Sequence, residues 1–157
     1  MADVEDQDAL RQLSKNRLRL WLRLIKSTRL VEDEVRRRLR GDFGTTLPRF
    51  DVMSALSRAP DGLKMKDISR LLRVSNGNIT GIVDKLVDDG LVLRIIPPQD
   101  RRTQIIQFTD RGRQEFETLA QTHESWIDEI LGGLNADDVD GMIRRLDHLV
   151  HALEERQ

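Results

Sequence analysis

A mainly α-helical chain carrying one small β-hairpin is the fold class this sequence predicts. Apolar residues recur at helical spacing through most of the 157 residues. The period shortens to that of a strand only between Leu91 and Phe108. Glycine, proline and good capping residues stand at the joins between these segments.

Residues 1–8 are polar and are expected to fray. From Ala9 to Arg40 the apolar positions Leu10, Leu13, Trp21, Leu24, Ile25, Val31, Val35 and Leu39 mark a helix that Gly41 and Gly44 close. About thirty residues is long for a globular helix, and such a helix usually lies against a partner, often a second copy of its chain. Thr46-Leu47-Pro48 opens the next helix, with Thr46 as cap and Pro48 in the first turn. Its buried face is Phe50, Met53 and Leu56, and Pro60-Asp61-Gly62 turns the chain. A short helix from about Met65 to Leu72 points Ile68, Leu71 and Leu72 inward, and Val74-Ser75 connects it tightly to another helix that Gly90 stops.

In that following helix Ile79, Ile82, Val83, Leu86 and Val87 fall at i, i+3, i+4, i+7 and i+8, one apolar stripe. The opposite face carries Gly77, Thr80, Gly81 and Asp84, flanked by Asn76, Asn78 and Lys85. Two glycines inside a helix cost roughly 1 kcal/mol each relative to alanine. Close approach to another surface offsets that cost. The surface is either a neighbouring protein helix or a DNA major groove, where Asn and Thr reach base edges and free N–H groups at the helix start hold a phosphate.

Two β-rich runs, Leu91–Ile96 and Thr103–Phe108, flank Pro97-Pro98-Gln99-Asp100-Arg101-Arg102 and predict a hairpin. Its tip sets Arg101 and Arg102 beside Asp100, a carboxylate placed to orient one of them. Such an arginine fits a narrow minor groove. Thr109 caps a helix to about Leu131, Gly132-Gly133 breaks it, and Asn135 starts a last helix ending near Glu155. Short helix, turn, glycine-faced helix and basic hairpin together make a winged helix-turn-helix.

Charged residues are 34% of the chain and aromatics 4%, which suits a helix-rich protein with much solvated or interface surface. The net charge of −1 hides a segregation. Lys and Arg exceed acids by roughly eight between Arg11 and Arg40, and acids exceed bases by about as many from Gln114 to Gln157. Local patches, not the sum, govern nucleic-acid binding. The absence of Cys excludes disulfides and thiolate metal sites. The apolar runs are too short and charged to span a membrane, and the acidic Met1–Glu5 is unlike a signal peptide, so a cytoplasmic protein is expected. His148 and His151 are spaced for a metal pair, but no third ligand, activated nucleophile or phosphate-binding glycine loop accompanies them. Neither enzyme, bound metal nor cofactor is expected.

Over nearly its whole length the chain resembles the MarR family of bacterial transcription regulators. Asp100-Arg101-Arg102 followed by Phe108-Thr109 is similar to that family's wing signature of Asp, any residue, Arg, a spacer and Leu-Thr, with Phe in place of Leu. Thr109-Asp110-Arg111-Gly112 is also like the family. Lys64 departs from it, standing where many members place a Ser or Thr cap. The resemblance implies a homodimer on a pseudo-palindromic operator in double-stranded DNA. Residues 9–45 and 110–157 would dimerise, and 46–109 would bind DNA through Ser75, Asn76, Gly77, Asn78, Thr80, Lys85, Asp100, Arg101 and Arg102.

The runs Pro48-Arg49-Phe50-Asp51-Val52, Val74–Gly81 and His123-Glu124-Ser125-Trp126 look like the subgroup that controls hydroxycinnamate catabolism and responds to aryl-CoA thioesters such as p-coumaroyl-CoA or feruloyl-CoA. That likeness implies a small aromatic effector releasing a repressor from DNA. Arg36, Arg38 and Arg40 would pair with phosphates, and Trp21, Phe43, Phe50, His123 and Trp126 would hold the aryl end. Alternatively these aromatics are core and the arginines solvated or paired. A free aromatic acid as effector, or a winged helix that binds protein instead of DNA, are the competing readings.

Overall fold

The structure, a computed structural model, describes residues 2–156, with their side chains from Gln7 onward. Helix α1 (Ala2–Phe43) is followed by α2 (Leu47–Ser57), strand β1 (Leu63–Lys64), α3 (Met65–Leu72), α4 (Asn76–Asp88), β2 (Val92–Ile95), β3 (Ile105–Phe108), α5 (Asp110–Leu131) and α6 (Ala136–Glu154). The chain forms two compact units, one ending at Ala120 and one beginning at Gln121.

Helix α1 is longer than its pattern predicts. It begins at Ala2, where fraying was expected, runs through Gly41, and stops only where Gly44 takes a φ of +61°. A Cβ at Gly41 would meet nothing within 4 Å, so that glycine weakens the helix without any packing reason to end it. Only the last turns are covered: Val35 and Leu39 are buried, whereas Leu10, Leu13 and Trp21 are exposed. In the second unit, α6 leaves Met142, Leu146, Leu149 and Leu153 exposed at helical spacing.

The core of the first unit joins Phe50, Val52, Met53 and Leu56 of α2 to Ile68 of α3, Ile79, Val83 and Leu86 of α4, and Ile106 of β3. Thr46 caps α2 as expected, its hydroxyl accepting the Arg49 N–H at 3.4 Å. Leu71, expected inward, is exposed. An eight-residue helix presents only about two turns, and here Ile68 takes the single deep position.

The hairpin pairs Val92 with Phe108 and Ile95 with Ile105. It gains a third strand absent from the pattern: β1 pairs antiparallel with β3, Leu63 opposite Ile106 and Lys64 opposite Ile105, giving the order β1-β3-β2. Two residues are too few to show a period of two. Gly62 permits the approach, with a φ of +85° in a place where any side chain would strike the Ile106 carbonyl.

In the second unit Asn135 begins α6 with a reciprocal capping box. Its side chain accepts the Asp138 N–H at 3.0 Å while its own N–H donates to the Asp138 carboxylate at 3.2 Å.

Candidate nucleic-acid interface

Helix α4 is set by its ends. The Ser75 hydroxyl accepts the Asn78 N–H at 3.4 Å, and Gly90 closes the far end with a φ of +69°. Between α3 and α4 the chain turns through Arg73, which adopts the left-handed conformation (φ +52°) that usually falls to glycine. The turn is tied by the Val74 N–H to the Ser69 carbonyl at 3.1 Å and by the Ser69 hydroxyl to the Val74 carbonyl at 2.5 Å.

Ile79, Val83 and Leu86 bury one side of α4; Asn76, Gly77, Asn78, Thr80, Gly81 and Lys85 are exposed on the other. A Cβ at Gly77 or Gly81 would meet nothing within 4 Å. Among the described residues no neighbouring helix therefore explains the two glycines, and their face is open to an outside surface. The exposed Thr80 donates its hydroxyl to the Asn76 carbonyl at 2.8 Å. Asp84, on the same side, is engaged by Arg94 of β2, which fastens the helix to the hairpin.

At the wing tip Asp100 does not orient a guanidinium. Its carboxylate accepts the Arg102 N–H at 3.0 Å and the Thr103 hydroxyl at 2.5 Å, and its N–H donates to the Pro97 carbonyl at 3.1 Å. The Thr103 hydroxyl and the Arg102 N–H hold its pKa below the ordinary carboxylate value. Asp100 shapes the turn and leaves Arg101 and Arg102 exposed with no ion pair among the described residues. Thr109 anchors the wing's other end. Its hydroxyl donates to the Gly90 carbonyl at 2.7 Å and accepts the Gly112 N–H at 2.9 Å.

Within the first unit the residues expected to hold an effector do not form one site. Two crevices adjoin in the first unit, sharing Gly44, Thr45 and Arg49. The one beside α4 has a volume of about 570 Å³, and Arg36, Arg40, Gly77, Gly81 and Lys85 contribute to it. The other, of about 700 Å³, takes Phe43, Met53, Leu91 and Leu119 with Arg111 and Glu115. Arg36 is paired with Glu32 at 2.9 Å and Asp33 at 3.2 Å, whereas Arg40 has no ion pair among the described residues. Arg38 is bound to Glu34 at 2.7 Å and lines neither crevice. Phe50 is core, 5.8 Å from the Phe116 ring, and Trp126 is buried within the second unit. Trp21 lies on the exposed length of α1. His123 lines a third crevice, in the second unit, where burial lowers its pKa.

Sequence reasoning passed over Arg49. It forms an ion pair with Asp89 at the C-terminal end of α4, lines both adjoining crevices, and keeps a buried Nε with no hydrogen-bond partner. In the sequence it stood only within the run Pro48-Arg49-Phe50-Asp51-Val52, with no role assigned to it.

The model of the MarR family matches residues 45–103. The transcriptional activatory protein BadR of Rhodopseudomonas palustris is 32% identical over 124 residues, 77% of this chain and 70% of that protein. The HTH-type transcriptional regulator YkoM of Bacillus subtilis is 33% identical over 129 residues, covering 82% of this chain and 80% of the relative. Among solved structures, a MarR family transcriptional regulator from Silicibacter pomeroyi superposes with a TM-score of 0.72 at 32% identity, over 92% of this chain and 97% of that one.

Proposed function

Because the chain belongs to the MarR family of transcriptional regulators, we propose that it is a dimeric repressor released from a pseudo-palindromic operator by an aryl-CoA thioester. It is a DNA-binding regulator, and its relatives are named as regulators, not enzymes. Among the described residues no helix is long and apolar enough to cross a membrane, and the protein acts in the cytoplasm beside the chromosome.

The two-fold partner is a second copy. Residues 9–45 and 110–157 dimerise, covering the exposed apolar residues of α1 and the stripe on α6. The basic excess of α1 and the acidic excess beyond Gln114 offset each other there. Residues 46–109 bind DNA, with α4 in the major groove, Arg101 of the wing tip in the adjacent minor groove, and half-sites about one helical turn apart.

The observation that carries the effector reading is the basic crevice whose wall is α4 itself. Phosphates of a thioester held by Arg40, Arg49 and Lys85, with Arg36 and Arg49 leaving their acids, lie against Gly77 and Gly81. The aryl end extends past Thr45 into the adjoining crevice of Phe43, Met53, Leu91 and Leu119. Guanidinium forks suit phosphate, and both volumes fall in the range of small-molecule sites. A polyanion there excludes DNA by occupying the face that reads it, with the spacing of the two α4 helices unchanged.

The test is a gel shift on the promoter beside the gene, with and without p-coumaroyl-CoA or feruloyl-CoA, alongside a thermal-shift comparison with the free acids. Release and stabilisation by thioesters alone are expected. Stabilisation by free acids alone overturns the thioester, and failure to retain the promoter duplex overturns the operator reading. Activation is the second reading, favoured by the name of the BadR relative. A promoter reporter that falls when the gene is deleted would establish it.

A further inference from the structure

We propose that a separate basic cradle at the base of the wing grips one backbone phosphate of the bound DNA through Lys64, Lys66 and Arg102. The inference rests on the DNA-binding reading and adds Lys64 and Lys66 to it.

The cradle is a cavity of about 210 Å³ whose walls include Lys64, Lys66, Asn76, Thr80, Arg102 and Thr103. Its three cations come from three elements: Lys64 from β1, Lys66 from the first turn of α3, and Arg102 from the wing loop. The third strand brings them together. Pairing of Lys64 with Ile105, and the Met65 N–H donating to the Gln104 carbonyl at 3.2 Å, lock the start of α3 against the foot of the wing. Lys64 stands at the N-cap of α3, where its ammonium group, a donor only, cannot accept the helix N–H groups, and it lines the cavity instead. Asn76 and Thr80, one turn apart on the exposed face of α4, form the facing wall.

The cradle keeps an excess of positive charge. Lys64, Lys66 and Arg102 make no ion pair among the described residues. Of the nearby acids, Asp67 is paired with Arg70 at 3.6 Å, while Asp100, bonded to the Arg102 N–H and the Thr103 hydroxyl, also interacts with the charge of Lys64 and offsets part of the cradle's three positive charges. The volume is too small for a nucleotide or an aryl thioester, which need roughly 300 Å³ or more. A single phosphate group fits, and Lys binds it as a point charge. Because one wall belongs to α4, a phosphate held here sets how far that helix enters the groove. Such a contact fixes register without reading sequence.

Inorganic phosphate offers the same chemistry as a phosphodiester, so the test separates them. The wild type and the Lys64→Gln/Lys66→Gln variant are titrated against the promoter duplex and a scrambled duplex over a range of salt. Each phosphate contact contributes about 0.9 to the slope of log K against log salt. The variant is expected to lose about two such increments per bound dimer, one from each protomer, on both duplexes, with the preference between them unchanged. A wild-type slope in the variant overturns the cradle while DNA binding stands. Loss of discrimination between duplexes also overturns it, since that marks base reading. If inorganic phosphate replacing chloride at equal ionic strength raises the Tm of the wild type but not of the variant, while the DNA affinity of neither changes, the site takes free phosphate and the DNA contact is refuted. A wild type that retains neither duplex refutes the underlying DNA-binding reading itself.

Discussion

Gly81→Ala should make the protein more stable and a worse DNA binder, and the opposed signs make it the most discriminating single change. Gly81 lies in the interior of the thirteen-residue α4, and a Cβ there meets nothing within 4 Å. The folded chain therefore gains helix propensity without a clash, about 1 kcal/mol. For a chain of this size that raises Tm by roughly 2–4 °C at fixed protein concentration. Gly77, in the first turn, should gain less from the same substitution. On DNA the new methyl group stands between α4 and the groove floor. If it displaces one base contact the loss is about 1–3 kcal/mol, roughly 5- to 150-fold in affinity. Thermal unfolding and fluorescence anisotropy on one preparation measure both effects. A variant that is more stable and binds the promoter as well as the wild type refutes the groove explanation of the glycines. So does one whose thioester affinity falls while DNA binding holds, because Gly81 also lines the basic crevice.

Gly112→Ala is the contrasting case. Its Cβ would run into the Leu91 carbonyl, so the variant should lose about 1–3 kcal/mol or more in a denaturant titration; unchanged stability would mean that the start of α5 and the foot of the wing do not touch. Arg101→Ala should weaken promoter binding by about 1–3 kcal/mol with thermal stability intact, since the side chain is exposed; undiminished affinity would remove the wing from the interface. His123 supplies a pH dependence. Burial lowers its pKa below 6.5, so the unfolded chain takes up a proton before the folded one, and stability contributed by the neutral imidazole is full above pH 6.5 and falls as pH drops through and below it. The Tm difference between wild type and His123→Gln should shift in that direction between neutral and mildly acidic pH, and a difference independent of pH would contradict it.

The elements that were legible in the sequence are those whose causes lie within a few residues. The caps Thr46, Ser75 and Asn135, the left-handed stop at Gly90, the apolar stripe of α4 and the alternation of the hairpin strands all appear where their local patterns put them. So do Asn76, Asn78, Thr80 and Lys85 on an exposed face, because an amphipathic helix that buries Ile79, Val83 and Leu86 leaves them no other side. Misreadings cluster where a local rule met a distant contact. Leu71 has the right period for burial but lies beyond the core that Ile68 reaches. Phe50 and Trp126 have the chemistry of a ligand slot but are consumed by packing.

Sequence by itself determined that this chain has a capped, glycine-faced helix followed by a basic wing, because helical period, cap chemistry and turn residues act over one or two turns. Only the tertiary structure decided what surrounds that helix. Asp84 is fastened by Arg94, ten residues away, and Asp89 by Arg49, forty residues away. The third strand that carries Lys64 to the wing forms because β3 offers an open edge, not because Leu63-Lys64 prefers extension. Ion pairs and sheet edges join groups distant in the chain. Their geometry follows from the packed core, which no local spacing encodes.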